Sequence, residues 1–375
     1  MLDASSVVSD LRHADALPVM VVDGGPAPTP ATLTRTGSGR LVLGAARPGG
    51  PPSLHIGPGW VDLHAHVFDG STEIGLPPDA VGLRTGVHLL ADAGTAGEAS
   101  VRGLIDYVLP TARTEVLIWL NIGSHGLVHL REVSDRSFID VGRTIAAVRA
   151  HPEIRGVKVR SSGLIVGGMG LTPLVLAKEA ARACDIPVMV HIGEAPPAIG
   201  DVLDLLDAGD VATHCFHGKE GGPWNDGEPI PALSRALERG VLLDVGHGAA
   251  SFGLSVAARA IARGYRPHTI STDVHVRNVR GPVHDLATVM TKLLHCGMPL
   301  TDVVRAVTVA PRDVLRAPRP WLFEGGIEHA TVFTVDATAP AGRSYRDADG
   351  VRFSPAAHIV PRAAISGGRL IRCGD

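Results

Sequence analysis

Between residues 57 and 273 the chain repeats one pattern, a short apolar run followed by a helix-like stretch. Short apolar runs bounded by turn signals read as buried strands, and strands alternating with helical segments read as βαβ units. Eight such runs are present, ending at His66, Ala93, Asn121, Val159, His191, His214, Val245 and Asp273. Amphipathic segments lie between many of them, at 137–150, 172–183, 231–239 and 254–263. Thr172-Pro173 is a helix-start signal, and Gly264 a stop. Eight units over about 220 residues predict an α/β fold, a distorted TIM (β/α)8 barrel.

The two ends of the chain are patterned differently. Residues 1–56 carry apolar runs at 18–22 and 40–43, broken by Gly24-Gly25-Pro26 and Gly49-Gly50-Pro51-Pro52. They predict short strands and turns, without helices. Helical stretches follow the eighth run at 285–296 and 301–315, and the tail returns to strands at 330–335 and 364–371. The expected arrangement joins 1–56 and 327–375 into a small β-sandwich-like domain beside a barrel of residues 57–326.

Composition narrows the partners. With 45% hydrophobic and 19% charged residues, the 375-residue chain suits a large globular core. A net charge of −3 gives no reason to expect nucleic acid or an anionic membrane. The four cysteines are widely spaced and form no CxxC pair, which reads as reduced thiols in a cytoplasmic protein. The N-terminus lacks a basic region followed by an apolar one, and no apolar run reaches the roughly 18 residues of a membrane span.

Active sites of such barrels lie at the C-terminal ends of the strands, and residues of metal-ligand type recur there. His64 and His66 end the first run, and side chains at i and i+2 of a strand share a face. Neutral imidazoles are common metal ligands. By itself the pair is an ordinary surface HxH. It gains weight because Lys158 lies in the fourth run, His191 ends the fifth, His214 the sixth and Asp273 the eighth. Lys158 is one of four lysines against 31 arginines, and a cation inside a barrel strand is costly unless paired or chemically changed. Reaction of its amine with CO2 would turn it into an anionic carbamate.

The segments Val61-Asp62-Leu63-His64-Ala65-His66, Gly156-Val157-Lys158, Val190-His191, Thr213-His214 and Ser271-Thr272-Asp273 resemble the amidohydrolase superfamily. Val190-His191-Ile192-Gly193-Glu194-Ala195-Pro196-Pro197, Asp244-Val245-Gly246-His247-Gly248 and Asp347-Ala348-Asp349-Gly350 are similar to its dihydroorotase-like, deacetylase-type branch. The resemblance implies two divalent metal ions, zinc before manganese or iron. His64, His66 and Asp273 would hold the inner ion and His191 and His214 the outer one. Carboxylated Lys158 and a hydroxide would bridge them. Asp273 would act as general base, then general acid, in cleaving an amide or ester bond, with removal of a small acyl group as one form of that reaction. A small-molecule substrate and a homo-oligomer are what the resemblance suggests.

Other readings stand beside this one. His191-Ile192-Gly193-Glu194 has the HxGE spacing of mononuclear adenosine-deaminase-like members, in which the glutamate donates a proton; those lack a strand-four lysine ligand. A barrel kept as a non-catalytic scaffold is a third reading, opposed by the complete ligand set. His217, His247, Arg160 and His275 are the candidate substrate contacts. His217 and His247 could equally be loop residues, and Arg160 a surface arginine.

Overall fold

The computed structural model describes residues 3–47, 52–318, 322–323 and 326–374. Seven parallel strands follow one another in chain order around a sheet: Trp60–Ala65, Val87–Gly97, Glu115–Asn121, Ile154–Ser161, Val188–Ile192, Val211–Thr213 and Leu242–Asp244. Buried on both sides, they need no polar alternation; every residue of Val87–Gly97 is buried. Helices such as Thr172–Cys184 pack outside, burying Leu174, Ala177 and Ala181 on one face. This is a TIM-barrel arrangement.

The eighth run departs from the expected strand. Residues 269–274 close the ring through two single bridges, Asp244 to Thr269 and Ala65 to Val274. Side-chain hydrogen bonds tie this segment to its neighbours. Thr269 Oγ1 and Ser271 Oγ both donate to the Asp244 carboxylate at 2.7 Å, and the Thr272 amide donates to Asp62 Oδ1 at 3.0 Å. At Thr272 a side-chain acceptor thus takes an amide that a regular ladder would use.

A second, seven-stranded sheet mixes the chain ends. Leu17–Val21, Thr29–Arg35, Leu41–Ala45 and Leu54–Pro58 come from the start, and Ala330–Asp336, His358–Ser366 and Arg369–Arg372 from the end. They meet where Leu54–Pro58 runs antiparallel to Ala330–Asp336, with Ile56 opposite Val332. Val19, Leu33, Ile56, Val332 and Ile365 share a core with Val7 and Leu11.

Those last two belong to a helix, Ala4–Arg12, where only strands and turns were expected. Asp3 caps it, its Oδ1 accepting from the Ser6 amide at 2.7 Å, and Val7, Val8 and Leu11 form a buried stripe. The segment is only nine residues long, and docking on the sheet supplies what an isolated helix of that length lacks. The expected Gly49-Gly50-Pro51 turn lies outside the described residues.

Inside the barrel, Leu63, Leu89, Ala91, Trp119, Met189 and Val211 form one apolar cluster drawn from five strands. The Trp119 indole N–H donates to the Leu63 carbonyl at 3.1 Å, so its one polar group is satisfied. The Met189 sulfur lies 3.2 Å from Lys158 Nζ, which places the lysine directly beside this cluster.

Candidate metal centre at the strand ends

The six ligand-type residues converge. His64, His66, Lys158, His191, His214 and Asp273 line one cavity of about 160 Å3. His66 Nε2 lies 2.9 Å from Asp273 Oδ1, and His64 Nε2 lies 3.3 Å from the same oxygen. Ligand atoms of His64, His214 and Asp273 all fall within 4.8 Å of one another. The His191 and His214 rings meet edge to face, centroids 4.3 Å apart.

Hydrogen bonds behind the rings select their tautomers. The Thr213 hydroxyl donates to Asp244 Oδ2 at 2.7 Å, so it can only accept from His64 Nδ1, 3.0 Å away. His64 therefore carries its proton on Nδ1 and presents a bare Nε2. His214 Nδ1 lies 2.6 Å from the Gly246 carbonyl, an acceptor only, which fixes the same tautomer. An imidazole oriented by its far nitrogen, with its near lone pair free, is prepared for a cation. Burial keeps these rings neutral: it is the main cause holding His64 and His191 well below the ordinary histidine value and His214 down at about 3. This donor set fits a metal ion.

Lys158 is wholly buried. Its amine meets His64 Nε2 at 3.2 Å and Met189 Sδ at 3.2 Å, neither of them an anion. Desolvation brings its pKa down to about 7. Gly94 makes room for it: a Cβ there would stand 2.7 Å from Lys158 Cγ, and φ is +82°.

Burial opposes ionisation of Asp273, but the groups around it, among them the His66 ring at 2.9 Å, prevail and hold its carboxyl well below the usual range. Asp273 and His214 both have left-handed backbones, φ +50° and +72°. Non-glycine residues in that region cost about 1–3 kcal/mol each and cluster at functional sites. The irregular closing segment absorbs this strain at Asp273, whose amide donates to the His64 carbonyl at 2.6 Å.

The candidate substrate contacts divide. Arg160 and His275 line the cavity, with Ile74, Leu127, Leu130 and Arg277. Arg160 is not a surface arginine. Its Nε donates to Glu132 Oε1 at 2.7 Å and its Nη2 to the Leu130 carbonyl at 2.8 Å. His217 and His247 lie outside that cavity. His217 lines a neighbouring one with Lys219 and Trp224. The chain has already turned at His214 with its positive φ, and His217 Nδ1 accepts from the Lys219 amide. His247 is buried against Phe252, its Nε2 2.8 Å from the Lys292 amine.

Glu194 is also outside the cavity. Its Oε1 lies 2.7 Å from Lys219 Nζ, and its Oε2 accepts from Ser162 Oγ at 2.8 Å. Partial burial would raise its pKa, but the Lys219 and Ser162 hydrogen bonds prevail and hold it at about 2.

Sequence reasoning did not find Thr213, Asp244, Thr95 or Glu132. Thr95 Oγ1 lies 2.8 Å from His66 Nδ1. Aspartate at a seventh strand end with hydroxyl residues on both neighbouring segments was the available signal for Asp244.

No family model matches the chain. It is 42% identical over 325 residues to a deacetylase of Agrobacterium fabrum, covering 84% of this chain and 80% of that protein. It is 35% identical to a deacetylase of Enterococcus faecalis, covering 85% and 87%. A crystal structure of a dihydroorotase superposes with a TM-score of 0.84 at 36% identity, covering 96% of this chain and 99% of that one. A structure of an adenine deaminase gives 0.83 at 30% identity, covering 95% and 100%. With relatives this similar over most of its length, the chain belongs to the amidohydrolase superfamily, among its deacetylase and dihydroorotase-like members.

Proposed function

We propose that this enzyme is a binuclear metallohydrolase that removes a small acyl group from an amide or ester. The observation that carries the reading is the pair of imidazoles, His64 and His214, locked with bare Nε2 atoms beside Asp273 and a buried lysine. His64, His66 and Asp273 would hold one ion, His191 and His214 the other, and Lys158, carboxylated by CO2, both. Two divalent ions, zinc by the nitrogen and oxygen donor set, would polarise the scissile carbonyl and acidify water.

The chain's own groups do the rest. Asp273 takes the proton of the attacking water at its carboxylate and returns it to the departing nitrogen or oxygen. Thr213 and the Gly246 carbonyl keep the rings of His64 and His214 oriented through that transfer. Ile74, Leu127 and Leu130 are the apolar residues among those lining the cavity. Deacetylases among the relatives support acyl removal over ring opening. The four cysteines, all free thiols, support a reducing, cytoplasmic setting.

The test is metal analysis together with a panel of acetylated amines, acetylated alcohols, cyclic amides and adenine. About two ions per chain and acid release from an acetylated substrate are expected. One ion per chain, with ammonia released from adenine, would overturn the reading.

A further inference from the structure

The connection after the third barrel strand, residues 122–140, is a compact loop closed at its base. Gly123 bridges Ile139, and the Ser124 amide donates to the Phe138 carbonyl at 2.7 Å. The rings of His125 and His129 stand edge-on to Phe138 within it. Leu127 and Leu130 of this loop line the cavity of the ligand-type residues.

One pair ties the loop to the barrel wall. Glu132 has a fully buried side chain and faces Arg160, which lies two residues beyond Lys158 on the fourth strand. The guanidinium donates through Nε to Glu132 Oε1 at 2.7 Å and through Nη2 to the Leu130 carbonyl at 2.8 Å. Leu130 thus receives the clamp on its backbone and itself lines the cavity. A planar, forked donor held on both a carboxylate and a carbonyl fixes distance and direction together.

We propose that the loop 122–140 gauges the length of the acyl group, with Leu127 and Leu130 as its wall and the Arg160–Glu132 pair as the strut that sets where the wall stands. Arg160 is in this role a positioning residue, its Nε and Nη2 already engaged. The inference rests on the acyl-removing reading. The apolar side of a small cavity next to the ligand-type residues is where the acyl methyl would lie, and each methylene that fails to fit a closed apolar pocket costs roughly tenfold or more in kcat/KM.

The experiment compares kcat/KM for acetyl, butanoyl and hexanoyl derivatives of one leaving group. Leu130→Ala and Leu127→Ala should raise the butanoyl-to-acetyl ratio about tenfold or more. Glu132→Gln should shift the ratio the same way while metal per chain stays at the wild-type level, and Glu132→Asp should restore part of it. Ratios unchanged within about twofold in both leucine variants, with native circular dichroism, would overturn the gauge. Should Glu132→Gln fail to fold, the leucine variants decide. Should no derivative turn over, the deacylase reading falls, and the gauge is decided by thermal shift with acetate, butanoate and hexanoate. Longer acids stabilising Leu130→Ala more than wild type supports it, and no such difference rejects it.

Discussion

The amine of Lys158 lies 3.2 Å from Nε2 of His64, a wholly buried base against a bare ring lone pair. A lysine left this way gains little from its place, and conversion to a carbamate would give the site the anion it needs. Lys158→Ala should reduce bound metal from about two per chain to one or fewer. Turnover should fall more than the roughly hundredfold typical of losing a group that merely supports a ligand. Carbon-13-labelled CO2 should give a carbamate signal in the wild type and none in the variant. Full metal occupancy in Lys158→Ala would reject the bridging role.

Gly248 stands directly behind Asp273. A Cβ at Gly248 would lie 2.5 Å from Asp273 Oδ2, and its φ of +57° already disfavours other residues. Gly248→Ala should displace the carboxylate and cost about 1–2 kcal/mol of stability from the left-handed backbone alone. Because Asp273 is the proposed proton carrier, kcat should drop at least about tenfold with KM less affected, up to the roughly 10²–10⁴-fold loss of a missing general base. An unchanged kcat would mean that the carboxylate's placement is not critical.

The barrel and the ligand-type residues that line its cavity were legible because each is local in sequence. A strand end is a few residues long, and His64, His66, Lys158, His191, His214 and Asp273 each sit at or near one. What was hidden depends on partners far apart in the chain. Thr213 orients His64 across 149 residues, and Asp244 reaches Thr213 across 31. Arg160 reads as one of 31 arginines until Glu132 is seen folded over it. The helix Ala4–Arg12 was missed because its stability comes from the sheet it packs on, whose other strands include the last residues of the chain.

Glu194 separates the hydrolase from the deaminase reading. Tied to Lys219 and Ser162 and held low, at about 2, it is a poor proton donor at neutral pH. Glu194→Gln should therefore change acyl hydrolysis by less than about threefold, since substitutions away from the reacting groups have small effects. Steady-state assays at neutral pH check this. A loss above a hundredfold would place Glu194 in the chemistry of acyl hydrolysis.

Lys292 carries a pH signature of its own. Its amine is buried and reaches His247 Nε2 at 2.8 Å, the Pro282 carbonyl at 2.9 Å and the Arg346 carbonyl at 2.6 Å, all neutral acceptors. Desolvation lowers its pKa to about 7 from 10.5. Below about 7 the lysine is charged in both folded and unfolded chains, and the burial penalty is fully present. Between about 7 and 10.5 the unfolded chain holds more protons than the folded one, so stability rises with pH across that window. Relative to Lys292→Met, the wild type should gain about 1 kcal/mol per pH unit above neutrality. Denaturant unfolding of both proteins at pH 6, 7.5 and 9 measures it, and a stability difference that stays flat would show that the amine does not titrate there.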